Sequence, residues 1–288
     1  DVDGNYEPVY PAGTGFLPAR EGVLGMRIET DLGRLFNRSL GFVSGVSVDA
    51  SVNAERQVIS NAIGPWHLLG VEEKPDIQMA QRDGQVRLHI FRYHKRGSLR
   101  ISGQVRDRVD RFFYGGGRTS LRQASLGGRL RLGREGDLDG EVTTQWHKRT
   151  GTEVFAFSIR SYSGQGRGSW RVSQDWDMRL GVWGGRDDDA QRDLRVHYIS
   201  LQPEVIRKLA GRGRLRGRVD WTKMTATGDV PLFLGMANGN RVGQNWVWRL
   251  GVDYRFGRYV TALVSYDGRK RPTLPVVHLG RMEMRAVF

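Results

Sequence analysis

The chain contains no cysteine. That excludes disulfides and thiolate metal sites, and it suits a protein that crosses an oxidising compartment without mispairing. No stretch of about 18 apolar residues is present, so helical membrane spans are excluded; mean hydropathy is -0.49. No Gly-x-Ser-x-Gly or His-Glu-x-x-His motif occurs, which removes two familiar hydrolase signatures. The opening residues Asp1-Val2-Asp3-Gly4 do not read as a signal peptide, so the chain is expected to be processed or cut from something longer.

What is present is glycine and arginine. Glycine accounts for 39 of 288 residues, well above the ordinary share of about 7%, and suits tight turns and curved strands. The formal net charge is +14. Such a balance raises nucleic acid as a partner, but the arginines form no patch. They recur at alternate positions, as in Arg214-Leu215-Arg216-Gly217-Arg218. A strand projects alternate side chains to opposite faces, so this spacing draws a charged stripe on one side of a sheet, and no nucleic-acid role is expected.

The alternation runs through most of the chain. Leu24, Met26 and Ile28 oppose Arg27 and Glu29, and Leu40, Phe42, Val46 and Val48 follow on one face. Residues 54–84 read as a long loop with a possible strand at Ile77–Gln81. Val86 and Leu88 then oppose Arg87 and His89; Leu126, Leu130 and Leu132 oppose Arg129 and Arg131; Leu138 and Val142 oppose Asp139 and Glu141. Trp170, Val172, Trp176, Met178, Leu180 and Val182 share one parity, over one long strand or two. Leu194, Val196 and Tyr198 oppose Arg195 and His197, which predicts that Arg195 and His197 share the charged stripe. Leu215, Val219 and Trp221, then Trp246, Leu250 and Val252, oppose further arginines.

The last residues carry the strongest signal. Met282, Met284, Ala286 and Phe288 fall on one parity; Arg281, Glu283 and Arg285 fall on the other. An exposed terminal aromatic is an association hazard in water. This stretch resembles the carboxy-terminal strand of bacterial outer-membrane β-barrels. The resemblance implies a lipid-facing apolar parity, a terminal aromatic at the interface and recognition by the barrel-insertion machinery.

The expected fold is therefore all-β, a transmembrane antiparallel up-and-down β-barrel of roughly 12–14 strands, with an even number for a single bacterial chain. Residues 1–21 are read as an extended lead-in, or a linker from upstream domains, and 22–288 as the barrel. Short turns near 34–37, 95–97, 134–136, 210–212 and 257–258 alternate with longer loops near 109–121, 185–191, 225–243 and 268–274. Two aromatic levels follow: Trp146, Trp221, Trp246 and Tyr266 towards the long loops, Phe256, Tyr259 and Phe288 towards the short turns. A soluble β-sandwich explains the alternation equally well, but not the terminal Phe288 or the two levels.

The residues expected to line the lumen are Arg27, Glu29, Arg129, Arg131, Glu141, Arg195, His197, Arg214, Arg216, Arg218, Arg249, Arg255, Arg281, Glu283 and Arg285. Their mixed signs read first as cross-strand ion pairs that stiffen the interior; an anion-attracting pore is the sharper alternative. Val230, Leu232, Phe233, Leu234 and Met236 form an apolar run inside a long outer loop, a candidate constriction or docking point. Asp187-Asp188-Asp189 reads as a solvated loop tip, with a divalent cation bridging lipopolysaccharide phosphates as the sharper alternative, and no metal or other cofactor is expected. The functional expectation is a non-enzymatic barrel in the bacterial outer membrane, serving as anchor or scaffold of a larger envelope assembly. Its partners would be outer-membrane lipid or lipopolysaccharide and other envelope proteins. An anion-preferring diffusion pore is the alternative, and a rim hydrolase a remote one.

Overall fold

Alternating apolar and polar side chains leave the backbone extended, and β-branched and aromatic residues fill the pleat. The computed structural model describes residues 20–32, 45–58, 77–92, 94–110, 117–151, 156–227, 236 and 241–286. They form strands β1 (Arg20–Asp31), β2 (Val46–Val58), β3 (Ile77–Ile90), β4 (Gly97–Asp110), β5 (Arg118–Leu132), β6 (Gly136–Arg149), β7 (Phe157–Arg171), β8 (Trp176–Asp189), β9 (Leu194–Leu209), β10 (Gly213–Thr227), β11 (Gly243–Phe256), β12 (Val260–Lys270) and β13 (Val277–Ala286). These lengths are those of tilted membrane-crossing strands with some extension beyond the bilayer.

Every strand pairs antiparallel with its neighbour in sequence, giving one 13-stranded up-and-down sheet. The number lies inside the expected 12–14 but is odd. Directions alternate from strand to strand, so β1 and β13, the two ends of the described order, run the same way. The β2–β3 register shifts once, at Gln57/Val58. The β9–β10 ladder skips Val219 and Asp220, which lie opposite Pro203 and Gln202. Pro203 has no N–H to donate, which accounts for the gap.

Directly opposed residues share a face, so the register assigns every strand side chain. One row runs Arg27, Ser51, Gln85, Gln104, Gln123, Gln145, Ser161 and Asp187 across β1 to β8, polar throughout. The opposite face carries Met26, Leu126, Leu138, Val142, Leu180, Leu250 and Met282, all exposed, with Val142 at 64% and Met282 at 69%. A soluble monomer rarely exposes so continuous an apolar surface; a barrel wall in a bilayer must. Polar residues of β3 to β9 surround a basin of about 520 Å³, so the sheet curves around its polar side.

Several sequence expectations change in detail. Residues expected to lie in a loop from 54 to 84 include the end of β2 and most of β3. The stretch from Trp170 to Val182 is two strands joined by residues 172–175. Asp187, Asp188 and Asp189 end β8 instead of sitting in a loop. The short β5–β6 turn contains Gly133 at φ 71°, a left-handed conformation that suits glycine. Gly268 has a different role: a Cβ there would run into the Trp248 ring, which lies across it on the apolar face.

This register makes a direct prediction. Cysteine at position 250 should react with a lipid-soluble maleimide and cysteine at 249 only with a water-soluble one, because Arg249 pairs with Asp267 at 3.7 Å on the polar side while Leu250 is exposed on the other. The reverse pattern would mean a one-residue slip, which turns every side chain to the other face.

Candidate functional site

The polar face holds Arg27, Glu29, Arg129, Arg131, Glu141, Arg214, Arg216, Arg218, Arg249, Arg255, Arg281, Glu283 and Arg285 on one side of the sheet. Across the strands this face carries nearly as many carboxylates as cations, and they interleave. Arg27 meets Asp49 at 2.9 Å, Arg129 meets Asp137 at 3.0 Å, and Arg100 reaches Glu141 at 3.5 Å. Glu204, almost fully covered, accepts from Arg216 at 2.8 Å and Arg179 at 3.4 Å. Arg218 bridges Asp220 at 2.7 Å and Gln202 at 3.2 Å. Exposed pairs of this kind are worth only about 0–1 kcal/mol each. Their effect is geometric: long guanidinium groups are held across the curved face, and their charge is cancelled locally.

Arg195 and His197 do not belong to this set. The register places them with Asp188 and Arg186, on the outward face, while Leu194, Val196 and Tyr198 turn inward. The physical reason is that the hydrophobic parity of β9 changes along its length. Near the long-loop end the inward residues are apolar; from Ile199 and Leu201 onward the outward ones are. Within the bilayer the outside must be apolar, but above it the outside is wet and the inside can pack.

That inward apolar end packs together at the long-loop side of the wall. Phe157 and Ile159 from β7, Leu194 and Val196 from β9 and Met224 from β10 form one buried cluster, and Met236 from the β10–β11 connection joins it with 0% exposure. Tyr198 and Ala226 pack against its edge. His147 stacks edge-on against Phe157 with ring centroids 4.7 Å apart. Met236 is thus covered by this chain's own interior. Val230, Leu232, Phe233 and Leu234 lie outside the described residues.

The girdle residues face outward. Trp221 and Trp246 are directly opposed, with ring centroids 6.1 Å apart. The Arg122 guanidinium lies over the Trp146 ring, 5.2 Å from its centre. Tyr266 hydrogen-bonds His278 at 2.7 Å. Phe256 is exposed at the other end, with Tyr259 in the following turn; Phe288 lies outside the described residues.

The described histidines are dispersed. His89 is on the polar face, His147 is in the mouth, His197 and His278 point outward, and His94 lies in the β3–β4 turn. The three consecutive aspartates diverge. Asp187 and Asp189 are buried inward, whereas Asp188 points outward between Arg186 and Arg195, 2.8 Å from each. Among the described residues no three His, Asp or Glu side chains are gathered as metal ligands.

Sequence reasoning missed Arg122, Arg160, Arg186 and Asp188 as outward charges, and Trp183 and Tyr198 as inward aromatics. A signal existed for the first. The parity of Leu126 and Leu130, continued backward, passes through Ala124 to Arg122.

No family model and no curated protein matches the chain. Similar solved structures include two outer-membrane proteins. One is OmpT, an outer membrane protein of Vibrio cholerae, at 9% identity and TM-score 0.40, covering 93% of this chain and 96% of that one. The other is the ferric yersiniabactin uptake receptor FyuA of Yersinia pestis, at 10% identity and TM-score 0.44. The match to FyuA covers 93% of this chain and spans 60% of the receptor's length. These likenesses are loose, and the fold rests on the strand order and the two faces. The chain is a membrane-embedded β-barrel protein of the outer-membrane type.

Proposed function

We propose that this barrel resides in the bacterial outer membrane as the anchor of a larger envelope assembly, with an interior that does not serve as an open general pore. The observation that carries the reading is how the polar side is filled. Paired arginines and carboxylates span the curved face, and the apolar mouth cluster with Met236 sits above them. Near-balance of charge on that face also leaves little net field to draw anions inward. Outer-membrane lipid surrounds the wall, the insertion machinery delivers it, and other envelope proteins are what it would hold.

The full chain in a planar lipid bilayer should show no steady large conductance. Deleting residues 230–236 should produce one, because Met236 belongs to the buried apolar cluster at the long-loop end. The second reading is an anion-preferring pore, favoured by the basin of about 520 Å³ in which His89, Arg100, Arg129 and Arg167 face Asp139 and Glu141. A stable, anion-selective conductance of the unaltered chain would replace the anchor reading with that one.

A further inference from the structure

The strands are tilted in a barrel, so a row of directly paired residues climbs relative to the membrane as it crosses the sheet. One outward row runs Val52, Gly84, Val105, Arg122, Trp146, Arg160, Asp188 and Arg195. It starts apolar and ends charged, and the change comes between Val105 and Arg122, one strand before Trp146. Here the wall passes from hydrocarbon to headgroup. Outward-facing cations gather beyond that level: Arg122, Arg160, Arg186 and Arg195, continued by Lys148 and Lys223. Asp188 is the acid among the four arginines, held between Arg186 and Arg195.

Two hollows lie in the outward wall beside this change. The lower is apolar, about 650 Å³, and exists because Ala50, Gly84, Gly103 and Ala124 are small where their neighbours Val52, Val86 and Val105 are not; Arg122 and Trp146 close its upper end. The upper is a cleft of about 240 Å³ between Thr144, Trp146, Arg160 and Tyr162. An acyl-sized trough capped by guanidinium groups and a tryptophan has the chemistry of a lipid site. Arg binds phosphate through paired N–H donors, and Trp settles at the interface.

We propose that this part of the wall is a specific binding site for a multiply phosphorylated glycolipid, the lipid A portion of lipopolysaccharide. One acyl chain would lie in the trough below Trp146, and phosphates would sit on Arg122, Arg160 and Arg186. Charge complementarity selects this occupant. Several outward guanidinium groups on neighbouring strands β5 to β9 exceed what a lipid with a single phosphate can satisfy, whereas two phosphates on one headgroup can reach more than one of them. The proposal rests on the outer-membrane reading above and adds the site and its ligand.

The test uses the full chain folded in detergent, with bound lipid counted by native mass spectrometry. The probes are bis-phosphorylated lipid A, the same lipid after phosphatase treatment, and phosphatidylglycerol. Lipid A should bind, and the other two should bind on the order of tenfold more weakly. The double variant Arg122→Gln, Arg160→Gln should lose a similar factor, while Arg258→Gln, a neutralisation in the turn at the other end of the barrel, should not. Gly103→Leu gives a second, charge-independent arm. A Cβ at Gly103 meets nothing within 4 Å, so the leucine fills the trough without disturbing the sheet and should weaken lipid A binding.

Equal binding of all three lipids, or equal losses with Arg258→Gln, would overturn the site. So would unchanged binding in a double variant that still migrates as a folded barrel. A chain that proved soluble without detergent would instead overturn the membrane reading on which the site rests.

Discussion

Val196→Asp is expected to abolish the folded, heat-modifiable form of the protein, while His197→Asp, one residue away, leaves it intact. Val196 has 0% exposure inside the mouth cluster and lies directly opposite Asp187, itself buried. A new carboxylate there would be desolvated beside an existing acid, a penalty on the order of several kcal/mol. His197 points outward beside Arg186, its direct partner, where an added carboxylate meets water and a cation. The readout is gel migration of unboiled and boiled samples in mild detergent. A closed sheet keeps its edges paired and resists detergent. The opposite result, with Val196→Asp folded and His197→Asp unfolded, would show that the upper part of β9 faces the other way.

Val142→Arg should have the next largest effect. Val142 lies between Leu138 and Trp146 on the outward face of β6 and is 64% exposed. An arginine near the bilayer midplane of a barrel costs about 2–4 kcal/mol, against about 0–1 kcal/mol near the interface. Thr225→Arg, outward near the long-loop end of β10 and opposite His197, supplies the interfacial comparison. Refolding into vesicles across a denaturant series should place Val142→Arg well below the unaltered chain and Thr225→Arg close to it. Equal stabilities would mean that Val142 does not face hydrocarbon.

These two experiments probe the parts that differ most in how readable they were. Where one face meets lipid, as along β11 and β13 and the lower half of β5, simple alternation assigns the faces. Leu126 and Leu130 oppose Arg129, and Met282 and Met284 oppose Arg281 and Glu283, as in the structure. Strand β9 could not be read that way. Its hydrophobic residues change parity between Tyr198 and Ile199, and a single phase taken from Leu194, Val196 and Tyr198 put Arg195 and His197 on the polar side. Asp187, Asp188 and Asp189 misled for a related reason. Consecutive acids look like a loop tip, but at the end of a strand beyond the bilayer two can turn in to the mouth and one out to the arginines.

Sequence alone determined the all-β character, the approximate number of strands and the apolar outer band. All of these follow from the two-residue period of a strand and the demand of a bilayer for one apolar face. The tertiary structure decided which charges meet, since Arg216 and Arg179 converge on Glu204 only through pairing across three strands. It also decided the height at which each row leaves the lipid, because tilt and register are properties of the whole wall. Met236, far in sequence from Phe157 and Leu194, closes on them only when the strands beneath curve together. An apolar loop residue shows that something must cover it, and only the assembled wall shows what does.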